Sequence, residues 1–145
     1  MTNTISITFD LATTNDQAEL GFEAWIDDVK QIDIARVQGK QQIELAMPDT
    51  EGDHELRLIL KGKTFAHTTL DANGAVIQDS LLIIDETAFD GVKLGYTMTR
   101  LATYVHDCNG TTETIQDRFH GQMGCNGTVS LKFTAPIYLW LLENM

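Results

Sequence analysis

Gly52-Asp-His-Glu-Leu-Arg-Leu-Ile-Leu60 and Ser80-Leu-Leu-Ile-Ile-Asp-Glu-Thr-Ala-Phe-Asp-Gly-Val-Lys-Leu94 decide how this chain folds. In the first run Leu56, Leu58 and Leu60 alternate with Glu55, Arg57 and Ile59, so one face is apolar throughout. In the second, Leu81, Ile83 and Asp85 fall on one face and Leu82, Ile84 and Glu86 on the other, before Phe89 turns inward. Period-two patterning between turn residues predicts half-buried strands of an antiparallel sheet. Between the runs, Asp71-Ala-Asn-Gly74 reads as a hairpin turn. Nothing in either run specifies a reaction.

The same period recurs upstream. Ile5, Ile7, Phe9 and Leu11 alternate with Thr4, Ser6, Thr8 and Asp10. Leu20, Phe22, Ala24 and Ile26 follow, with Glu19, Glu23, Trp25 and Asp27 opposite. Asp27-Asp28 then turns the chain into a strand carrying Ile32 and Ile34, and Gln42 to Met47 forms another, stopped by Pro48. Helical periodicity is missing, and eight or nine short strands between turns predict an all-β, antiparallel two-sheet β-sandwich of the jelly-roll kind. The expected core is Ile5, Ile7, Phe9, Phe22, Leu56, Leu58, Leu60, Ile83 and Phe89. After Gly95 the pattern loosens. The sandwich is therefore placed at residues 1–94, with 95–145 as an irregular C-terminal extension packed on it.

Composition narrows the class. The 145 residues suit one domain, and 43% hydrophobic content is enough for a core. A net charge of −11 argues against nucleic acid and anionic membranes, which need clustered Lys and Arg. No apolar run is long enough to cross a membrane as a helix. Met1-Thr-Asn-Thr4 shows no basic segment leading into an apolar one, so no secretory signal is expected. Two cysteines, Cys108 and Cys125, make no disulfide framework and suggest thiols in a protein assembled in a cytoplasm.

The strand ends and turns carry a resemblance. Gly52 to Leu60, Asp79-Ser-Leu-Leu-Ile-Ile-Asp85 and Phe89-Asp-Gly-Val92 resemble jelly-roll carbohydrate-binding modules, particularly the calcium-dependent xylan-binding kind. The Trp25-Ile-Asp-Asp28 hairpin looks like the early edge hairpin of those modules, and the likeness covers residues 4 to 94. It implies sugar binding, with Trp25, Asp27 and Asp28 as candidate contacts. The compact chain with its apolar tail also resembles small virion proteins of tailed phages, which often display a module of this kind on tail, baseplate or capsid. That likeness implies a virion location and partners among other virion proteins.

Two groups of residues have metal-ligand chemistry. Asp71, Asn73 and Asp79 begin like a calcium loop, but the twelfth position is Leu82 where a bidentate Glu is needed, so a hairpin turn is the better reading. His106, Cys108, His120 and Cys125 are four zinc-type ligands within 20 residues. They lack the short cysteine spacing of a structural zinc site. Free thiols are expected there, with zinc or a Cys108–Cys125 bridge as alternatives. Asn109-Gly-Thr and Asn126-Gly-Thr read as turns. No nucleophile, phosphate loop or paired-carboxylate motif is visible, so the chain reads as a non-enzyme without a cofactor.

The last apolar run is Ile137, Tyr138, Leu139, Trp140, Leu141 and Leu142. One face of a small sandwich cannot cover six such side chains in either strand or helix geometry. Part of the run is therefore expected to dock on another subunit or another protein, with Tyr138 and Trp140 as anchors. The sequence predicts a displayed binding module within a larger assembly, with a surface glycan as the other ligand. The alternative is a carbohydrate-binding module acting by itself, with or without calcium.

Overall fold

A computed structural model describes residues 4–14, 20–62, 68–70, 76–79, 81–106, 115–124 and 126–145. The strands are β1 (Thr4–Thr13), β2 (Gly21–Ile26), β3 (Val29–Ile34), β4 (Gln41–Pro48), β5 (Gly52–Lys61), β6 (Thr68–Leu70) and β7 (Val76–Asp79). They continue as β8 (Leu82–Phe89), β9 (Val92–Lys93), β10 (Thr103–His106), β11 (Ile115–Arg118), β12 (Gln122–Met123) and β13 (Gly127–Ala135). Two helices, α1 (Tyr96–Leu101) and α2 (Ile137–Asn144), complete the described elements.

The architecture is the expected two-sheet antiparallel sandwich. One sheet has the order β12-β8-β1-β4, with β9 beside β8; the other runs β11-β10-β13-β5-β2-β3. A separate two-stranded hairpin pairs β6 with β7. Steps from β1 to β2, β3 to β4 and β4 to β5 each cross between sheets. Their inward faces therefore meet, as alternating apolar residues require.

β1 and β5 sit mid-sheet, and both keep strict alternation with Ile5, Ile7, Phe9, Leu11, Leu56, Leu58 and Leu60 buried. Aromatic rings join the sheets. Phe9 meets Phe22 edge-on at 5.8 Å, and Phe89 meets Phe133 edge-on at 5.0 Å. Trp140 of α2 stacks on Phe89 at 5.7 Å and closes that end of the core. Such pairs add about 0.5–1.5 kcal/mol each beyond the area they bury.

Ile83 departs from the expected core. Leu82 and Ile84 point inward instead, and Ile83 is half-buried beside Ala12 and Gln122. The cause is a bulge. β1 pairs Thr8 with Ala88 but Asp10 with Asp85, so Glu86 and Thr87 share the place opposite Phe9. Glu86 takes φ 56°, and the extra residue inverts the strand's parity, returning Phe89 to the core.

Residues 95–145 also sit differently from the expected extension. β13 lies inside the larger sheet, paired with β5 from Gly127↔Leu60 to Ala135↔Gly52. β12 pairs with β8 in the other sheet. Val129, Leu131 and Phe133 are buried like the leucines of β5. Gly127 makes the β10–β13 ladder possible, since a Cβ there would lie 2.2 Å from the Val105 carbonyl oxygen.

Candidate functional site

The site is built where β2 ends, β5 begins and α2 closes the sandwich. Asp27 follows β2 in the left-handed region, φ 51°, which aspartate tolerates better than most residues. Its N–H donates to the Glu55 carbonyl at 2.8 Å, and its Oδ1 accepts from the Glu55 N–H at 2.9 Å. The hairpin tip is thereby fastened to β5.

His54 is on the core-facing parity of β5, one turn of the pleat before Leu56. Its register partner is Phe133, whose ring lies 5.6 Å away. The imidazole is only 11% exposed. Nδ1 is 2.8 Å from Asp27 Oδ2, and Nε2 is 2.6 Å from the Thr50 carbonyl oxygen. Burial opposes the charged ring. The Thr50 carbonyl, the hydrogen bond and charge of Asp27, and the charge of Asp49 outweigh it, raising the His54 pKa above the ordinary imidazole range. Asp49 also accepts the Ile137 N–H at 3.3 Å, so the β4–β5 turn holds the start of α2.

These groups surround an open cleft of about 640 Å³. Asp53 and Glu55 of β5 and their register partners Thr134 and Lys132 of β13 line it with Asp27 and Asp28, and the buried Phe133 and Trp140 lie behind them. Most of the acids are already engaged. Glu55 accepts from the Ser130 hydroxyl at 2.6 Å, and Asp28 accepts from Arg57 at 3.0 Å. Within the described residues Asp53 and Lys132 form no ion pair, and they offer a free acceptor and a free donor. An open cleft lined by donors and acceptors suits an uncharged ligand with several hydroxyls.

The expected sugar contacts separate. Asp27 and Asp28 line the cleft. Trp25 lies on the outer face of the larger sheet, between β3 and β5, in register with Lys30 and Arg57. The Lys30 ammonium sits 5.8 Å from its ring centroid and the Arg57 guanidinium 5.5 Å. Its Nε1–H donates to Glu23 at 3.0 Å. Trp25 is therefore already covered by cations of its own sheet.

The metal candidates mostly fall outside the described residues: Asp71, Asn73, Cys108 and Cys125, and the side chain of Asp79. His106 is on β10, with Nε2 2.8 Å from Asp117 and its ring 4.6 Å from Tyr104. His120 is exposed and borders a different cavity of about 300 Å³, between the β8 bulge and α1, with Asp85, Glu86 and Lys93. Among the described residues no three His, Cys, Asp or Glu side chains converge as metal ligands. No described helix is long and apolar enough to cross a membrane.

The apolar run forms α2 and divides by face. Ile137 and Trp140 are core residues, and Leu141 is half-buried. Trp140 is therefore engaged with Phe89 and Phe133 and is not a free anchor as expected. Tyr138, Leu139 and Leu142 are exposed, at 60%, 45% and 76%.

Sequence reasoning missed Asp53, His54, Lys132, Phe133 and Thr134 as neighbours. One signal was present: His54 continues the inward series Leu56, Leu58, Leu60, and a histidine in an apolar series must find partners when buried. The Lys132 side was not readable, because it comes from the distant strand β13.

No family model matches the chain, and no curated protein matches it. Solved structures do. A vCBM60 in complex with galactobiose is 13% identical, with TM-score 0.52, over 87% of this chain and 96% of that one. The selenomethionine form of vCBM60, from work linking two families of calcium-dependent carbohydrate binding modules by circular permutation, is 15% identical. It also has TM-score 0.52, over 88% of this chain and 89% of that one. The chain has the fold of these carbohydrate-binding modules.

Proposed function

We propose that the protein is a non-catalytic carbohydrate-binding module whose ligand lies in the cleft between the Asp27 turn and α2. The observation that carries this reading is the cleft itself. An open cleft and unengaged donor and acceptor groups occur together, on a fold shared with modules of which one holds galactobiose. Asp53 and Lys132 would bind the hydroxyls of a sugar. A neutral glycan is preferred, since Asp27, Asp28, Asp53 and Glu55 outnumber Lys132 around the opening and would repel uronic acids. Among the described residues no ligand set converges, and the calcium candidates Asp71 and Asn73 and the Asp79 side chain lie outside them, so a calcium requirement is left to the chelator arm of the test.

The test is a neutral-glycan array with and without chelator, repeated with Asp53→Ala and Lys132→Ala. Binding lost in both variants supports the cleft. Binding that survives both variants, or no binding to any glycan, overturns the reading.

A second reading is favoured by α2 alone: a component of a larger assembly, such as a tailed-phage virion, docked through Tyr138, Leu139 and Leu142. Three exposed large apolar side chains on one short helix fit a protein contact. Removing α2 would also remove Ile137 and Trp140 from the core, so the informative variant is Leu139→Lys with Leu142→Lys. A folded variant that no longer assembles supports docking. One that assembles normally defeats it.

A further inference from the structure

A neutral imidazole has one N–H and one lone pair. The two ring nitrogens of His54 both face acceptors, Thr50 O at 2.6 Å and Asp27 Oδ2 at 2.8 Å. With a neutral ring, one of these contacts sets a lone pair against a lone pair. Only the doubly protonated ring satisfies both, and both bonds are then charge-assisted. The ring therefore joins the tip of the β2–β3 hairpin to the β4–β5 turn, across the edge of the cleft.

The joined parts are walls of the proposed site. Asp27 and Glu55 are tied together by two backbone-length hydrogen bonds, and both line the cleft. Asp49, next to Thr50, holds the first N–H of α2, which supplies the buried Trp140 behind the cleft. The His54 ring itself lies against Phe133, which is buried behind the cleft. One side chain thus touches or fastens each wall except that of Lys132.

We propose that His54 is the positioning residue of this cleft: as an imidazolium it bolts the Asp27 corner to the Thr50 carbonyl, and loss of one ring proton releases the corner and weakens ligand binding. This rests on the cleft being the glycan site, but the bolt itself can be tested without ligand.

The charges around the ring set the direction. Asp27 comes from the β2–β3 turn, Asp49 from the β4–β5 turn, and Asp28, Asp53, Glu55 and Lys132 share the cleft. Burial resists the charge, but the Thr50 carbonyl and the carboxylates outweigh it and raise the pKa. A raised folded-state pKa contributes stability that is complete below the ordinary imidazole range and disappears as pH rises through the elevated value. By linkage, a ligand needing the bolted corner must raise the His54 pKa further.

The experiment is an NMR titration of the His54 ring nitrogens in the full chain, with thermal unfolding against pH and glycan affinity against pH. Both nitrogens protonated near pH 6, a raised pKa, and affinity falling about fivefold or more through that pKa are expected. Asp27→Asn is the discriminating variant. Its amide can donate to a neutral Nδ1 while its oxygen keeps the Glu55 N–H, so a neutral ring now fits both neighbours. In Asp27→Asn the pKa should drop and the pH step in stability should vanish, a result that a merely structural histidine would not give. An ordinary pKa in the parent, or an unchanged pH step in Asp27→Asn, overturns the bolt. If the titration behaves as expected but no glycan binds, the cleft reading fails and the bolt stands as a stability device. If glycan binds with no pH step, the positioning role fails.

Discussion

Asp27 and Asp90 both hold φ 51° at the tip of a hairpin, one after β2 and one after β8. Each donates its N–H to a carbonyl of a neighbouring strand, Glu55 or Ser6, and each accepts that residue's N–H with Oδ1. The local solution is the same, in opposite sheets. It lets a turn grip the next strand where the regular ladder ends. The difference is at the second carboxylate oxygen. Asp27 Oδ2 binds His54, and through it Thr50, beside an open cleft. A turn device used for structure at Asp90 has at Asp27 acquired a titratable partner and a wall to hold.

The largest effect should come from the core side chain that backs that cleft. Trp140→Ala removes a ring in contact with Phe89 and Phe133 and should cost about 3–5 kcal/mol, read by chemical denaturation. A cost below about 1 kcal/mol would mean that α2 does not close the core, and the cleft would lose its backing.

The next variants test the comparison directly. Alanine at position 27 or 90 adds the same left-handed penalty, so the difference between them isolates His54. Asp27→Ala should cost about 1–3 kcal/mol more than Asp90→Ala near pH 6, because it strands a buried charged partner. Above the elevated His54 pKa the ring is neutral and the gap should close. Equal costs at pH 6 would make the two turns equivalent and the histidine incidental.

How far the sequence could see follows from the same contrast. β1, β4 and β5 were legible because strict alternation survives in strands with one wet face, as Ile43, Leu45 and Met47 of β4 still show. β8 was not. Its bulge opposite Phe9 changes the parity of Leu82 to Ile84 without any mark in composition, and Glu86 is an ordinary residue for a strand face. β13 was readable as a strand, but not its place next to β5, since pairing over more than sixty residues is set by the whole core. At the site, Asp27 and Asp28 were visible as turn residues. His54 was visible only as a polar intruder in a leucine series. The partnership with Thr50, Phe133 and Lys132 needed the third dimension. Trp25 shows the opposite case, an aromatic whose parity alone did not reveal that Lys30 and Arg57 lie by its ring.

The smallest effect concerns that tryptophan, and it decides between the proposed cleft and Trp25 as the surface for a glycan. Lys30 lies over Trp25 and reaches Asp33 at 3.1 Å and Glu23 at 3.8 Å, with its side chain 42% exposed. Exposed pairs of this kind are screened, so Lys30→Met should cost less than about 1 kcal/mol, and less still at high salt. Its value lies in binding. Arg57 still covers the ring from the β5 side, while on the β3 side the competing charge is gone and only a flexible apolar side chain remains. If glycans bind in the cleft, affinity is unchanged, because Lys30 does not border it. If Trp25 is the platform, removing a competing cation must strengthen binding. An increase in affinity in Lys30→Met, abolished by adding Trp25→Ala, would move the site from the Asp27 cleft to the outer face of the sheet.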